Sequence, residues 1–308
     1  MLSLEKVLES TDRSADPKPF LAAADQFVRD GRQYAAASAY DRAYGLAPED
    51  AQIAKVRSQL LDQLVVEENG IVFRYVPAGS FLMGSDEGDR DEAPIHPVRL
   101  GAFWISEEPI SWAKYCELMN WEPPPIGMPT PPVEKVQKQK EEGFDYGRFM
   151  LHQHCKIRLQ YCEDETTRAI DWHAHMPGQG WSDGKGQKIS SQALFGCPPR
   201  SNPDHLMGYT KKPMVAVSWQ EAEEFCRAIS SGSVDYRLPT EAEWEKAARG
   251  GLIGCQYSWG DKPPTTELCD FGAFQRFRIR PTRSVPPNGY GLFGTCGCVW
   301  EWVRDWYD

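Results

Sequence analysis

The chain has 308 residues, 41% hydrophobic and 25% charged, with a formal net charge of −10. That length suits one large domain with a small one, and the composition is that of a soluble globular protein. The acidic balance excludes sequence-independent binding to phosphate backbones, so no nucleic-acid partner is expected. No apolar run approaches the roughly 20 residues that span a bilayer, and the charged opening Leu2-Ser3-Leu4-Glu5-Lys6 lacks a signal-peptide core. No membrane role is therefore expected, and the expected location is cytoplasmic. There the nine cysteines stay mostly reduced, and their odd count and uneven spacing do not read as a disulfide framework. Eleven tryptophans and 24 prolines predict a loop-rich fold in which indoles fill space that regular elements leave open.

Residues 1–68 read as a small all-α module. Phe20, Ala23, Ala24 and Phe27 form a large-small-small-large face on one helix, and Ala36, Tyr40 and Ala43 repeat it on a second, stopped by Pro48. Small residues let two helices approach closely, and Asp30-Gly31-Arg32 supplies the turn. Ile53, Val56, Leu60 and Leu64 predict a third helix with a narrow apolar stripe. The hairpin resembles one tetratricopeptide repeat (TPR) unit. A single repeat cannot bury its own apolar face, so a hairpin packed on the following domain is favoured over a free peptide-docking surface.

Residues 69–308 open with alternating apolar residues on either side of Pro77-Ala78-Gly79, which predicts a β-hairpin turning at Gly79. Asp86 to Glu92 reads as an acidic loop, and strands are expected around His96–Leu100 and Phe103–Ile105. A helix capped by Ser111 should turn Trp112, Cys116 and Met119 inward. Ser218 with Glu221 and Thr240 with Glu243 are capping boxes, in which side chain and backbone satisfy each other's free N–H groups. Trp219, Ala222, Cys226 and Ile229 are the expected buried stripe of the first of these helices. Trp244, Ala247 and Ala248 are that of the second.

Several stretches occur here in a fixed order: V-P-A-G-S-F-L-M-G-S, P-M-V-A-V-S-W-Q-E-A, Y-R-L-P-T-E-A-E-W-E-K-A-A-R-G-G and Y-S-W-G-D. The run from Asn288-Gly289-Tyr290-Gly291-Leu292 to Trp300-Glu301-Trp302 closes the series. Together they resemble the formylglycine-generating enzyme family, the sulfatase-modifying factors. The resemblance implies an α+β, C-type-lectin-like fold with little regular structure. It implies a family chemistry in which Cu(I), held by two cysteine thiolates, oxidises a cysteine of a sulfatase peptide. Soft thiolates suit Cu(I). In the family those cysteines follow the W-E-W block, in a segment that no position of this sequence matches. The C-terminal part of the family fold is thus expected to be missing, and no catalytic residue is carried over.

The expected role is therefore a scaffold that binds a protein partner, a peptide or a small ligand and is not catalytic as written. The alternative is part of a copper-dependent formylglycine-generating oxidase whose cysteine-bearing segment lies elsewhere. A related non-haem iron sulfoxide-synthase reading is weaker, because residues 1–68 contain no histidine.

The resemblance also implies calcium sites. Gly297 and Val299 match two family backbone carbonyl ligands, and Glu301 matches a carboxylate. The completing asparagine is Gly294 here, which weakens a site for a cation that wants six to eight oxygens. The family's other calcium asparagine aligns with Cys269. Cys296 and Cys298 form a Cys-x-Cys pair that could chelate a soft metal, were the segment extended with both thiols on one face. Two small residues packed beside Trp300 are the plainer reading.

An insert at about 122–211 separates the family stretches, opening with a proline-rich lead-in. His152, His154, His173 and His175 lie in it near Cys155 and Cys162. Zinc would suit those ligand types, but the spacing fits no standard finger, and a surface helix and loop are favoured.

Overall fold

The computed structural model describes residues 2–119, 211, 213–214, 217–232, 234–269 and 280–306. The insert's histidines and cysteines therefore lie outside the described residues, as do the side chains of Trp112 and Cys116.

The chain opens with α1 (Leu4–Glu9), capped by Ser3. Helices α2 (Lys18–Arg29) and α3 (Gln33–Leu46) follow as an antiparallel hairpin turning at Gly31, whose φ is 71°. Phe20, Ala23, Ala24 and Phe27 are all buried, as are Ala36, Tyr40 and Ala43. The Tyr40 hydroxyl donates to Asp25 across the seam at 2.6 Å. Helix α4 (Ala51–Leu61) is capped by Asp50 and runs into a short 3-10 turn, Asp62–Leu64. Its buried face differs from the expected one. Arg57 is fully enclosed beside Ile53 and Leu60, while Val56 is only partly covered.

Among the described residues the strands form two small sheets. Strands β1 (Val66–Glu68), β2 (Ile71–Val76) and β5 (Phe103–Ser106) make a three-stranded antiparallel sheet in the order β1-β2-β5. Strand β3 (Gly79–Met83) pairs antiparallel with β4 (His96–Leu100). The expected hairpin about Pro77-Ala78-Gly79 is thus not formed, because β2 and β3 enter different sheets. The hairpin turn is Asn69-Gly70 instead, with φ of 54° and 65°, placing Glu68 opposite Ile71. Two consecutive positive φ values match the twist of the flanking strands, which is why Asn-Gly is favoured there.

Helix α5 (Trp112–Leu118) starts at its Ser111 cap. Helices α6 (Trp219–Ile229) and α7 (Glu241–Arg249) each form the complete capping box read from sequence. On α6 the fully buried residues are Phe225 and Ile229, with Trp219, Ala222 and Cys226 only partly covered. Phe225 stacks on Tyr115 of α5 at 4.9 Å, and that aromatic pair decides which face turns in.

The main core unites the helical module with the family region. Residues of α2, α3 and α4 pack in one cluster with Tyr75, Val76, Ala247, Tyr290 and Leu292. A Cβ on Gly45 of α3 would meet the Ile253 side chain at 2.7 Å, so helix and loop approach closely only because that residue is glycine. The module is a packed hairpin within this core. A smaller cluster of Ile71, Tyr115, Phe225 and Ile229 holds α5 and α6 to β2.

Candidate functional site

The run from Asn288 to Trp306 has little regular structure, so side chains have to hold it. Asn288 uses its whole amide. Its Nδ2 donates to the Ala247 and Ala248 carbonyls at 2.8 and 3.1 Å, satisfying the open end of α7. Its Oδ1 accepts from the backbone N–H groups of Tyr290 and Leu292 at 2.9 and 3.1 Å. Gly250 ends α7 in the left-handed region, φ 63°, and a Cβ there would sit 2.7 Å from the Gly289 nitrogen. Two glycines face each other because neither backbone leaves room for a side chain.

A buried ionic knot fastens this turn to the helical module. The Arg57 side chain is 2% exposed. It donates to Asp41 through Nε at 3.0 Å and Nη2 at 2.7 Å. It also donates to the Gly250 carbonyl at 3.0 Å and the Gly289 carbonyl at 2.5 Å. The Tyr290 hydroxyl donates to the other Asp41 oxygen at 2.9 Å. Burial, then the neighbouring Asp41 charge, pushes the Tyr290 hydroxyl well above its ordinary range. Sequence reading missed Arg57 and Asp41. The available signal was that Arg57 falls four residues after Ile53 and three before Leu60, on the apolar stripe itself.

Further along, Phe293 N–H donates to the Glu107 carbonyl at 2.8 Å. The Glu107 carboxylate is 4% exposed and accepts from Arg74 at 2.6 and 2.9 Å, and from Arg283. The W-E-W residues are then stapled to α6 and α7. The Trp302 indole donates to the Val217 carbonyl and the Trp219 indole to the Val303 carbonyl, both at 2.9 Å. Arg304 N–H reaches the Pro239 carbonyl at 2.8 Å, and Asp305 accepts from Glu241 N–H at the positive start of α7. Arg237 grips Glu243 with both terminal nitrogens at 2.7 Å, and that bond holds the Glu243 carboxyl below its usual range. The R-L-P-T-E and W-E-W motifs are therefore structural in these contacts. Trp300 is left 97% exposed and Trp306 81% exposed.

The metal candidates lie within this block. Cys296 and Cys298 do not sit in a strand: Gly297 and Cys298 both take positive φ, 78° and 64°. Two successive left-handed residues break the alternation on which a shared face depends. Cys296 lies near Cys269 and the Ser258 backbone, and burial, then Cys269, pushes its thiol up. The Cβ of Cys298 lies beside Gly294. Burial also raises Cys255, and pushes Cys226 up to about 11. Without a metal such thiols are protonated at neutral pH, and a metal binding there would have to displace the proton.

For calcium, Gly297 and Val299 would offer backbone carbonyls and Glu301 a carboxylate. Crowding pushes the Glu301 carboxyl up to about 7, against a hydrogen bond from Trp244 that lowers it. The residue as a whole still meets solvent, so water limits that rise. A carboxyl short of compensating charge suits a cation. However, the described residues contain no group of three His, Cys, Asp or Glu side chains placed for a metal. The donor set fits a weak calcium site at most. Among the described residues no helix is long and apolar enough to cross a membrane.

The profile of the sulfatase-modifying factor enzyme 1-like domain matches residues 63–308. The formylglycine-generating enzyme of Thermomonospora curvata is 30% identical over 251 residues, covering 75% of this chain and 70% of that protein. An inactive C-alpha-formylglycine-generating enzyme 2 of Mus musculus is 29% identical over 248 residues, covering 76% and 68%. Among solved structures, PvdO from Pseudomonas aeruginosa aligns with a TM-score of 0.43 at 19% identity, covering 79% of this chain and 75% of that one. The chain belongs to the sulfatase-modifying factor family.

Proposed function

We propose that residues 1–308 of this sulfatase-modifying factor family member act as a binding scaffold for a protein or peptide, in the cytoplasm, and do not themselves oxidise cysteine. One observation carries the reading. The motif residues of the terminal block are engaged in holding the backbone, while Trp300 and Trp306 stand open on it. Exposed indoles on a rigid frame give a partner large contact area at low entropic cost. Calcium, where present, is held weakly by the Gly297 and Val299 carbonyls with Glu301, and cross-links the block without reacting.

The test is conversion of a cysteine in a sulfatase-type peptide to formylglycine, with copper and oxygen supplied. No turnover is expected from this polypeptide alone, and turnover refutes the reading. The relatives named formylglycine-generating enzyme favour a second reading, that these residues are part of a copper-dependent oxidase. Recovery of turnover on adding a polypeptide that carries a cysteine pair would establish it.

A further inference from the structure

A cavity of about 40 Å³ lies where the helical module meets the family region. By volume it holds about three waters or one small anion. Arg42 from α3 and Lys246 from α7 both line it, with Thr11 and Ser80 supplying hydroxyls. Arg42 is 7% exposed and Lys246 is 4% exposed. Its other charged residues, Asp41 and Arg249, are already balanced. Both Asp41 oxygens are taken, by Arg57 and Tyr290. Arg249 is paired with Glu245 at 2.5 Å.

The two enclosed cations are different. Among the described residues Lys246 donates only to neutral carbonyls, of Pro77 at 2.6 Å and Gly79 at 2.9 Å, which leaves a third ammonium hydrogen. Arg42 donates to the neutral Asp12 carbonyl, and its buried Nε has no hydrogen-bond partner. Neither forms an ion pair with a carboxylate among the described residues. Asp41 acts on both through space and Asp12 on Arg42, but neither carboxylate touches them. Two buried cations without a directly bonded carboxylate, one with an orphaned donor, are costly unless something compensates them.

We infer that this cavity is a binding site for a small oxyanion, held between Arg42 and Lys246 with the Thr11 and Ser80 hydroxyls beside it. The site joins an arginine of the helical module to a lysine of α7, so the anion would link the two parts of the chain. Nothing in the proposed scaffold role requires it, and the two readings stand or fall separately.

The experiment is titration calorimetry of the full chain with inorganic phosphate, and in a second arm acetate, at fixed ionic strength. Saturable one-to-one binding of either is expected. It should weaken about tenfold or more in Lys246→Met, as a charge-assisted contact is lost. Thr11→Val removes a hydroxyl without touching the buried cations, so it tests the site if Lys246→Met fails to fold; its binding should weaken severalfold. Absence of saturable binding of both anions overturns the proposal. Saturable binding that the folded variants leave unchanged overturns it too, because the anion then sits elsewhere.

Discussion

Replacing Arg57 by methionine tests whether the helical module is an integral part of the fold. Methionine keeps much of the volume but removes the guanidinium that bonds Asp41 twice and the Gly250 and Gly289 carbonyls once each. Asp41 is then left largely buried, with only the Tyr290 hydroxyl remaining. Breaking one half of a buried, hydrogen-bonded ion pair costs about 3–5 kcal/mol. At roughly 2–4 °C per kcal/mol for a large domain, Tm should fall by roughly 10 °C. Because the knot fastens α4 to the turn at Gly289, the far-UV and tryptophan signals should fall together in one transition. Thermal melts followed by both probes check this, and Arg57→Lys should recover only part of the loss. A fall smaller than about 3 °C would refute the reasoning. So would a helical signal that melts separately from the tryptophan signal in the wild-type protein.

Burial holds the Lys246 ammonium down to about 8, against 10.5 for a free lysine. The unfolded chain then binds more protons between those values, so this group adds stability as pH rises from about 8 and takes it away as pH falls through 8. The contribution approaches about 3 kcal/mol. Tyr40 and Tyr75, both pushed up to about 12, work in the opposite direction above pH 10. The readout is therefore the difference between wild type and Lys246→Met in denaturant melts from pH 7.5 to 9.5, with a flat difference counting against the assignment. Gly250→Ala forces a Cβ into the left-handed region and against the Gly289 nitrogen, and should cost about 2 kcal/mol or more in urea unfolding. Calcium should raise Tm slightly in wild type and not in Glu301→Gln. That effect should fade as pH falls and the Glu301 carboxyl, raised above its ordinary range, takes a proton.

Much of the architecture was legible in the residues. The α2–α3 faces, the Ser218 and Thr240 capping boxes and the positions of β4 and β5 follow from local chemistry: small residues at a close seam, a hydroxyl three residues before a glutamate, alternation along a strand. The motif order identified the family. What failed did so where a distant partner decides. The turn at Gly79 reads as a hairpin in the sequence, but Lys246 gathers the Pro77 and Gly79 carbonyls and the strands on either side enter separate sheets. The face of α6 was misplaced because Phe225 finds Tyr115, more than a hundred positions earlier in the chain.

The candidate site divides in the same way. Asn288, Gly289 and the W-E-W block could be located from sequence, because the motif is local and its glycines have to tolerate left-handed backbone. Whether those residues act or merely hold could not, since that depends on what each atom meets. Asn288 meets the end of α7, Trp302 meets the Val217 carbonyl, and Trp300 meets solvent. Arg42 and Lys246 look like ordinary surface charges in the sequence, and Arg57 differs only in falling on the apolar stripe of α4. Only tertiary packing buries them: Asp12 and Phe20 close over Arg42, Gly250 and Gly289 over Arg57, and the Pro77–Gly79 turn over Lys246, since charge burial depends on what closes over the side chain and not on its neighbours along the chain.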